Sequence, residues 1–390
     1  METPAATPSL GRILRDRVAL SGPLTFPEFM AAALYEPGHG YYARGTRQVG
    51  RGGDFFTSVS VGPLFGELLA RRFLREWRES GSPGRWRIIE CGAHDGTLAA
   101  DVLTALSALD ARAFEALEYA IPEPLAQLQD AQRTTLQPFP ETVRFLCDPS
   151  DLAADPLPGI AFGNELLDAL PCHIIEWREG RWLESRVAVS KDDSLIWETG
   201  EINNSGLISA LAPLEEDFPE GYRTEVRTCY QSFLAPLARS LESGLMLWVD
   251  YGFARPDYYH PARNSGTLRT FARHRAGENP LEHPGETDIT AHVDFTAVAE
   301  AASALGGRAM EFRNQGAWLT EIGRDWLLEL DGNPQPALLR QFQTLIHPAQ
   351  LGGSFHVLEL SWNPTVSPQD PAALAHRLFG RPPEISPTPR

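Results

Sequence analysis

The chain has 390 residues, of which 43% are hydrophobic and 22% charged, and its formal net charge is −17 at pH 7. This length suits one elaborated α/β core with a lobe built from its extensions, and no apolar run approaches the roughly 20 residues that a membrane span requires. Because the excess of acidic groups would repel a phosphate backbone, nucleic acid is not expected as a partner.

The cysteine and lysine contents exclude further classes of protein. Four cysteines lie far apart in the chain: Cys91, Cys147, Cys172 and Cys229. They form no CxxC pair, which argues against a disulfide framework or a zinc site and favours a reducing cytoplasm. Lys191 is the only lysine and lies in the polar turn SKDD, so P-loop and pyridoxal enzymes, which need a placed lysine, are excluded. Patterned sequence begins by about Pro23, which leaves little room for a removable targeting segment.

Residues 1–85 are predicted to form an N-terminal helical extension with one glycine-rich interruption, GRGGDFF. The following segment, TSVSVGPLFGELLARRFLREW, has these residues at helical spacing: Phe65, Leu68, Leu69, Arg72, Phe73 and Trp77. Thr57, Ser58 or Ser60 can cap this helix. One of its faces is therefore expected to pack on the core.

Short apolar strands alternate with amphipathic helices from about residue 86: WRIIE, GTLAADVLTAL, FEALEYAI, PLAQLQDAQRTTL, TVRFLC and GIAFGNELLDAL. This alternation predicts an α/β fold with a doubly wound, mostly parallel sheet and right-handed crossovers. We assign residues 86–171 and 244–365 to this core.

Residues 172–243 are predicted to be an insertion, because their strands are separated by the tight turns REG and KDD, which are typical of an antiparallel meander. A helix is expected near 222–243. After the strong strand LMLWVDYG, the segment DITAHVDFTAVAEAASAL predicts another helix, and SFHVLELSW predicts an edge strand. Residues 366–390 form a proline-rich tail.

The stretch RIIECGAHDG predicts a strand that runs into a tight turn. Ligands of open parallel sheets lie beyond the carboxyl ends of the strands. Gly92 and Gly96 permit close backbone approach there, and the helix expected from about Thr97 directs its N-terminal dipole into the site. The spacing of the turn Gly92 to Gly96 does not match GxGxxG, so a nicotinamide dinucleotide is not expected.

An acid before the turn, the spaced glycines and an acid after the next strand form a pattern typical of S-adenosylmethionine binding. Glu90 or Asp95 would contact the ammonium or ribose, and Glu123 would hold both ribose hydroxyls. Asp148, at the end of TVRFLCD, would lie near the adenine amino group. For each acid, the alternative is a helix cap.

The fourth strand end, FGNELLDALP, places Asn164 and Glu165 at the carboxyl edge, with Asp168 one turn later on the same side. Two carboxylates facing a methyl donor would hold a guanidinium in two-point contact and leave one nitrogen free for in-line attack. The alternative is that Asn164 caps a helix and Asp168 is solvated.

DITAHVDF contains Asp288, His292 and Asp294, with His274 and His283 nearby. A metal site is conceivable there, but we expect no metal, because capping by Asp288 or Thr290 and surface or hydrogen-bonded histidines account for these residues.

These residues lie within blocks that resemble the MidA-like methyltransferases (DUF185), which include the mitochondrial complex I assembly factor that methylates an arginine. The matching blocks run from about residue 22 to 360: GPLTFPEFMAAALYEPGHGYY, GRGGDFFTSVSVGPLFGELLA, ECGAHDGTLAADVL, GNELLDALPCHIIEW, LWVDYG and GTLRTFARHRAGENPLEHPGETDITAHVDFTAV.

The resemblance implies a class I, Rossmann-like methyltransferase core with an extra lobe formed by the N-terminal helices and the inserted meander. It also implies that GDFFTS, with Asp54, Thr57 and Ser58, folds over the cofactor, S-adenosylmethionine. The implied acceptor is a protein side chain, with arginine favoured, and a respiratory complex subunit is one candidate partner.

Two departures from the family pattern concern this site. The family's Gly-Pro-Gly-Arg-Gly turn has Ala93, His94 and Asp95 in its middle here, and the family's glutamate in Ser-Pro-Glu-Ile-Ser-Gln is replaced by Ser60. We therefore keep two hypotheses. The first is a protein arginine methyltransferase that uses the Gly92 to Gly96 turn and Glu123 for the donor and Asn164, Glu165 and Asp168 for the acceptor. The second is a non-catalytic assembly or binding protein with the same fold.

Overall fold

The computed structural model describes residues 9–44, 57–214, 218–272, 275–277, 279–330, 332–333 and 335–363. Within these ranges, no helix combines the length and the apolar character needed to cross a membrane.

The strands, in chain order, are β1 (Leu24–Thr25), β2 (Trp86–Cys91), β3 (Leu117–Pro122), β4 (Val143–Leu146), β5 (Leu157–Asn164), β6 (His173–Arg178), β7 (Arg181–Val189), β8 (Leu195–Glu201), β9 (Arg223–Val226), β10 (Leu241–Phe253), β11 (Arg269–Ala272), β12 (Arg275–Gly277), β13 (Asp288–Thr290), β14 (Val293–Asp294), β15 (Gly307–Asn314) and β16 (Phe355–Trp362).

The α-helices are α1 (Leu10–Ser21), α2 (Phe26–Tyr35), α3 (Ser58–Val61), α4 (Leu64–Glu79), α5 (Thr97–Leu109), α6 (Ala111–Glu115), α7 (Ala126–Thr135), α8 (Ser205–Leu211), α9 (Tyr230–Ser240), α10 (Arg255–Tyr258), α11 (Phe295–Ala304), α12 (Gln315–Ile322), α13 (Arg324–Glu329), α14 (Pro336–Ile346) and α15 (Leu351–Ser354). Two short 3-10 turns follow β4 and β5, at Pro149–Leu152 and Leu167–Ala169.

The main sheet has the order β15-β16-β10-β5-β2-β3-β4, with β14 paired to the end of β10. Every neighbouring pair along this order is parallel except the two that involve β16. At its centre, Ile88 of β2 lies between Tyr119 of β3 and Ile160 of β5. The carboxyl ends of β2, β3, β4, β5 and β10 therefore meet at one edge.

Helices cover both faces of the main sheet. One face packs against α4, α5, α12 and α14 in a large apolar cluster that includes Phe65, Phe73, Trp86 and Phe162. The other face packs against α9 and α11, with Trp248 between them and the sheet. Burial of the strands on both sides explains why their sequences are continuously apolar instead of alternating.

A second lobe surrounds an antiparallel five-stranded sheet, in the order β1-β7-β6-β9 with β8 on β7. One of its faces packs against α1 and α2, and the other packs against α8 and the Tyr258 region. The small sheet β12-β11-β13 joins the first of these clusters through Ile289.

The packing divides the chain differently from the expected boundaries. From the expected N-terminal extension, α4 packs in the main core, and β1 adds a strand to the lobe sheet. From the expected insertion at 172–243, α9 packs on the main sheet. From the expected core at 244–365, β11, β12 and β13 belong to the lobe side. Periodicity predicts which elements form but does not show which apolar face each one covers.

Three predictions about individual elements were wrong. The helix expected near 222–243 forms only as α9, because β9 and the start of β10 occupy the two ends of that range. SFHVLELSW forms β16, but this strand is internal, because β15 pairs with its outer side. The helix α11 is capped by Asp294, whose carboxylate accepts hydrogen bonds from the backbone N–H groups of Thr296 and Ala297. Asp288 and Thr290 instead lie in β13, so neither is a helix cap.

Arg72 is the charged member of the expected apolar face of α4, and its burial has a clear cause. Its guanidinium donates two hydrogen bonds of 2.9 Å to the carboxylate of Glu359 in β16. A buried charge paired in this two-point geometry is tolerated inside a core. The helical spacing of this segment therefore predicted its packing face correctly.

Candidate active site

The turn between β2 and α5 has a backbone that few residue types adopt. Gly92, His94 and Gly96 have φ angles of 71°, 47° and 84°. A Cβ on Gly92 would lie 2.9 Å from the Leu166 Cδ1 atom, so a side chain here would strain the backbone and require Leu166 to move. His94 adopts the same left-handed region at a cost that glycine avoids.

Asp95 precedes Gly96, the N-cap residue of α5, so it is not itself the helix cap that was its alternative interpretation. Its carboxylate accepts a 3.0 Å hydrogen bond from the Thr97 backbone N–H, at the start of α5. The His94 imidazole lies 3.7 Å away. The nearby His94 imidazole and the hydrogen bond from Thr97 lower the pKa of Asp95 to about 2. The carboxylate is thus ionised and fixed at the base of the turn.

Glu90 is buried at the end of β2. The Tyr119 hydroxyl donates a 2.5 Å hydrogen bond to its carboxylate. The pKa of Glu90 is raised to about 7, because the effect of burial is larger than the opposite effect of the Tyr119 hydrogen bond. An acid buried on the same edge as the glycine turn is able to accept from a donor group that enters there.

Glu123, after β3, is joined to the glycine turn by a residue that the sequence did not single out. One Glu123 oxygen accepts from the Leu125 N–H at 2.8 Å, and the other lies 3.4 Å from Gln132 Nε2. The same Nε2 donates to the His94 carbonyl at 2.9 Å. Gln132 is fully buried, and its Oε1 has no hydrogen-bond partner among the described residues.

Asp148 is exposed and caps the 3-10 turn after β4. Its carboxylate accepts a 2.7 Å hydrogen bond from the Ser150 N–H, and the Ser150 hydroxyl together with this N–H lowers its pKa. The capping alternative therefore accounts for the contacts of Asp148. Its role beside an adenine ring stays a prediction.

Asn164 and Glu165 lie at the end of β5, next to the end of β10. The Asn164 amide donates to the Glu165 carboxylate at 3.1 Å, and the Glu165 N–H donates to the Val249 carbonyl at 2.9 Å. Glu165 has a φ of 54°, the left-handed region that non-glycine residues rarely adopt. Burial and the nearby Asp168 raise the pKa of Glu165 to about 8. Strain and a shifted pKa on one residue are typical of functional sites.

Asp168 reaches the edge by a different path from the one predicted. The chain forms only the 3-10 turn Leu167–Ala169 after β5, not a helix, so helical spacing does not set its position. A single carboxylate oxygen of Asp250 organises this turn by accepting from the backbone N–H groups of Leu166, Leu167 and Asp168 at 3.0, 2.7 and 3.2 Å. Burial raises the pKa of Asp168 to about 6.

Asp250 and Tyr35 are site residues that the sequence reasoning missed. Asp250 ends the buried run LMLWVD, and the rule used for Glu123 and Asp148, an acid at a strand end, identifies it as well. Tyr35 of α2 donates to the Ala169 carbonyl at 3.0 Å. No sequence signal indicates this contact, which joins residues 134 positions apart.

The segment before α4 lies beside Glu165, and its folding over the cofactor stays a prediction. The Ser58 backbone N–H favours the ionised form of the Glu165 carboxylate, and the Ser58 hydroxyl donates to Gln315 Oε1 at 3.1 Å. Thr57 caps α3. In return, the Ser60 hydroxyl accepts a hydrogen bond from the Thr57 backbone N–H and donates one to the Thr57 carbonyl. A glutamate at this third helical position would make a similar reciprocal cap, so Ser60 preserves the local structure. Asp54 lies outside the described residues.

The acids and histidines of DITAHVDF do not converge. Asp288 accepts from the Tyr42 hydroxyl at 3.0 Å, Asp294 caps α11, and His292 lies against Phe253 with a centroid separation of 5.3 Å. His283 is exposed, and His274 lies outside the described residues. Among the side chains that the structure describes, no group of three or more His, Cys, Asp or Glu residues could hold a metal ion.

Comparisons with known proteins agree with this geometry. Residues 68–312 match the family described as "Putative S-adenosyl-L-methionine-dependent methyltransferase". The curated protein arginine methyltransferase NDUFAF7 homolog, mitochondrial, of Drosophila melanogaster is 29% identical over 384 residues, covering 90% of this chain and 84% of the relative. The Rattus norvegicus protein arginine methyltransferase NDUFAF7, mitochondrial, is 29% identical over 394 residues, covering 92% and 85%.

A solved structure matches this chain at higher sequence identity and over more of its own length than these two relatives. A Burkholderia thailandensis protein bound to S-adenosyl-homocysteine superposes with a TM-score of 0.80 and 33% sequence identity, covering 92% of this chain and 93% of that one. The likeness spans almost the whole of both chains, so it includes the lobe as well as the main sheet.

Proposed function

The chain belongs to the family of S-adenosyl-L-methionine-dependent methyltransferases that its residues 68–312 match, and on that premise we propose that it methylates a guanidinium nitrogen of a protein arginine. The predicted cofactor and enzyme class are confirmed by this membership and by the ligand of the Burkholderia structure. The arginine acceptor is our proposal. It is supported by the names of the relatives and by the acidic edge around Glu165.

We also infer that the main sheet is a class I, Rossmann-like methyltransferase core. Its mostly parallel strands have helices on both faces, and β16 is the antiparallel strand inside it. Such sheets bind ligands beyond the carboxyl ends of the strands. The glycine turn, Glu123 and Glu165 all lie at that edge.

The residues present suit S-adenosylmethionine. Gln132 Oε1 and Asn164 Oδ1 are buried without a hydrogen-bond partner among the described residues, and such orphaned acceptors are costly unless a ligand pairs with them. Glu90 and Glu123 add buried carboxyl groups on the same edge. Acceptors of this kind match the ammonium, ribose hydroxyls and adenine amino group of the donor, whereas the pyrophosphate of a dinucleotide would be repelled.

The roles divide between two strand ends. The turn Gly92 to Gly96 brings its backbone close to the donor, and Glu123 with Gln132 would hold the ribose. Bound S-adenosylmethionine supplies an electrophilic sulfonium methyl group. Asn164 and Glu165 would orient the acceptor, with Asp168 completing the pair of carboxylates that a guanidinium prefers. Positioning and exclusion of water then provide most of the acceleration.

The position of Glu165 beside Asn164 and Asp168 carries the proposal most directly, and its raised pKa agrees with it. Burial and Asp168 destabilise its ionised form, and an entering guanidinium would relieve both effects by pairing with the carboxylate. Once ionised, the carboxylate would also accept a proton from the nitrogen that is methylated. A cationic acceptor thus satisfies a group that the protein alone leaves poorly stabilised.

The experiment that tests this function compares the protein with Glu165→Gln. We expect the variant to bind S-adenosylmethionine with unchanged affinity by calorimetry and to lose methyl transfer from radiolabelled donor to arginine-containing peptides. Matched peptides with lysine at the same position test the acceptor. The exposed Glu198→Gln is the control and should transfer at the parent rate.

Methylation of the lysine peptides alone would overturn the arginine assignment and leave the methyltransferase class intact. Transfer by Glu165→Gln at the parent rate would show that Glu165 has no catalytic role.

A further inference from the structure

Arg227, which directly follows β9, is a buried arginine with an unusual set of partners. Only 7% of its surface is exposed. Its guanidinium donates to four backbone carbonyls: Asp168 at 2.6 Å, Leu170 at 2.9 Å, Ala291 at 2.7 Å and His292 at 2.6 Å. The side chain thus ties together two segments that lie far apart in the sequence.

One of these segments belongs to the candidate active site, and the other contacts it. The carbonyls of Asp168 and Leu170 are in the turn that follows Glu165, and those of Ala291 and His292 precede β14. The Ala291 N–H also donates to the Asp168 carbonyl at 3.1 Å, so the two segments touch each other where Arg227 holds them. The Asp250 carboxylate holds the N–H groups of the same turn from the opposite side.

Within the described parts of the chain, Arg227 forms no ion pair. The buried Arg72, in contrast, pairs with Glu359. Backbone carbonyl groups accept the hydrogen bonds from most of the N–H groups of the Arg227 guanidinium. Burying a guanidinium in this way is costly, and an apolar residue of similar volume would often serve stability as well. This arrangement therefore suits a role in fixing carbonyl positions better than a role in stability alone.

We propose that Arg227 is a positioning residue for methyl transfer, and this inference rests on the function proposed above. By holding the Asp168 and Leu170 carbonyls, it sets the 3-10 turn that places Asp168 and follows Glu165. It acts through these residues and is not itself assigned a contact with the acceptor.

The position of Arg227 in the fold gives the proposal a further consequence. Strand β9 belongs to the lobe sheet, whereas the turn that Arg227 holds extends from β5 of the main sheet. The packing of the lobe against the core therefore affects the positions of Glu165 and Asp168. We expect loss of this clamp to lower kcat and to leave the donor side unchanged.

The test uses the full chain with Arg227→Met and Arg227→Lys. Arg87→Met is the matched control. Arg87 is also buried, and it donates to the Asp155 and Ser240 carbonyls and to Glu118, which lie away from the carboxyl edge. Three quantities are measured: amide hydrogen exchange, affinity for S-adenosylmethionine, and kcat and KM for a synthetic peptide with one arginine.

Arg227→Met should speed amide exchange at Leu167, Asp168 and Ala291, lower kcat roughly 100-fold through misplacement of the turn, and leave donor affinity within threefold. Arg227→Lys should recover part of kcat, because it restores the charge and some carbonyl contacts. Arg87→Met should lower the melting temperature and change neither kcat nor exchange at these three amides.

Unchanged exchange at these amides in Arg227→Met would overturn the proposal, as would a kcat loss no greater than that of Arg87→Met. If Arg227→Met does not fold, the same criteria apply to Arg227→Lys. A parent protein that binds the donor but does not methylate the peptide would count against the arginine function, and the exchange result would still decide the role of Arg227.

Discussion

The donor and acceptor halves of the candidate site are built in different ways. The donor half depends on a turn of five residues, Gly92 to Gly96, whose left-handed conformations are encoded locally. The acceptor half, residues 164–170, is held by side chains from distant positions, Tyr35, Arg227 and Asp250, and by the backbone of Ser58. Donor binding should therefore tolerate disturbances of the lobe that impair transfer.

The largest expected effect is on the acceptor half, in Asp250→Ala. Three backbone N–H groups, two of them buried, lose their acceptor, which we expect to cost about 3 kcal/mol of unfolding free energy. Denaturant unfolding measures this loss, and kinetics should show a fall in kcat with donor affinity retained. Glu359→Ala, which removes the partner of buried Arg72, should destabilise without that selective loss of kcat. Equal loss of donor affinity and kcat in Asp250→Ala would contradict the separation of the halves.

The next effect concerns stability on the donor side, in Glu90→Gln without ligand. The pKa of Glu90 is raised from 4.5 to about 7, so its stabilising contribution is present below pH 4.5 and lost as pH rises through about 7. Glutamine still accepts from Tyr119 and does not titrate. We therefore compare the difference in unfolding free energy, variant minus parent, at two pH values. This difference should be roughly 2–3 kcal/mol larger at pH 8 than at pH 5. A difference independent of pH would show that Glu90 ionises freely.

The pH dependence of kcat/KM provides a third test, on the acceptor half. Glu165, with a pKa of about 8 in the free protein, must be ionised to pair with a guanidinium. We expect kcat/KM to rise about tenfold per pH unit below 8 and to level off above it. Asp168, with a pKa of about 6, should steepen the slope below that pH. A flat profile between pH 6 and 9 would exclude Glu165 as the titrating group.

The smallest expected effect tests the point where the halves touch, in Gly92→Ala. The new methyl would meet Leu166 Cδ1 at 2.9 Å in a backbone with φ of 71°. We expect a loss of about 1–2 kcal/mol in stability and weaker donor binding. Gly180→Ala is the matched control, because φ there is 72° and no atom lies within 4 Å of the added Cβ. The two variants separate backbone strain from contact with Leu166, and equal losses would show that the contact contributes nothing.

Several features of the fold and site followed from the sequence. Alternating apolar strands and helices predicted the main sheet, and the turns REG and KDD predicted the meander, because these signals are local. The family resemblance and the predicted donor are confirmed. The internal position of β16 was not predictable, since strand order depends on which edges remain for pairing after the chain has folded.

The residue assignments divide in the same way. Asp148 caps the 3-10 turn after β4, as its local sequence allowed, and Asp95 accepts from the Thr97 N–H in the turn before α5. Asp168 was expected on a helix, but Asp250 draws three successive N–H groups onto one oxygen and holds the chain in a tighter 3-10 turn. Gln132 occupies an ordinary helical position, and only the packing of α7 directs it toward His94 and Glu123.

The sequence by itself determined the glycine turn, the acids at the strand ends and the chemical class of the donor. Backbone conformation and strand termination depend on neighbouring residues, so they are readable along the chain. Only the tertiary structure decided how Glu165 and Asp168 are held, because Tyr35, Ser58, Arg227 and Asp250 act across separations of 59 to 134 residues. Burial at that junction raises the pKa of both acids, and burial is a property of the folded protein alone.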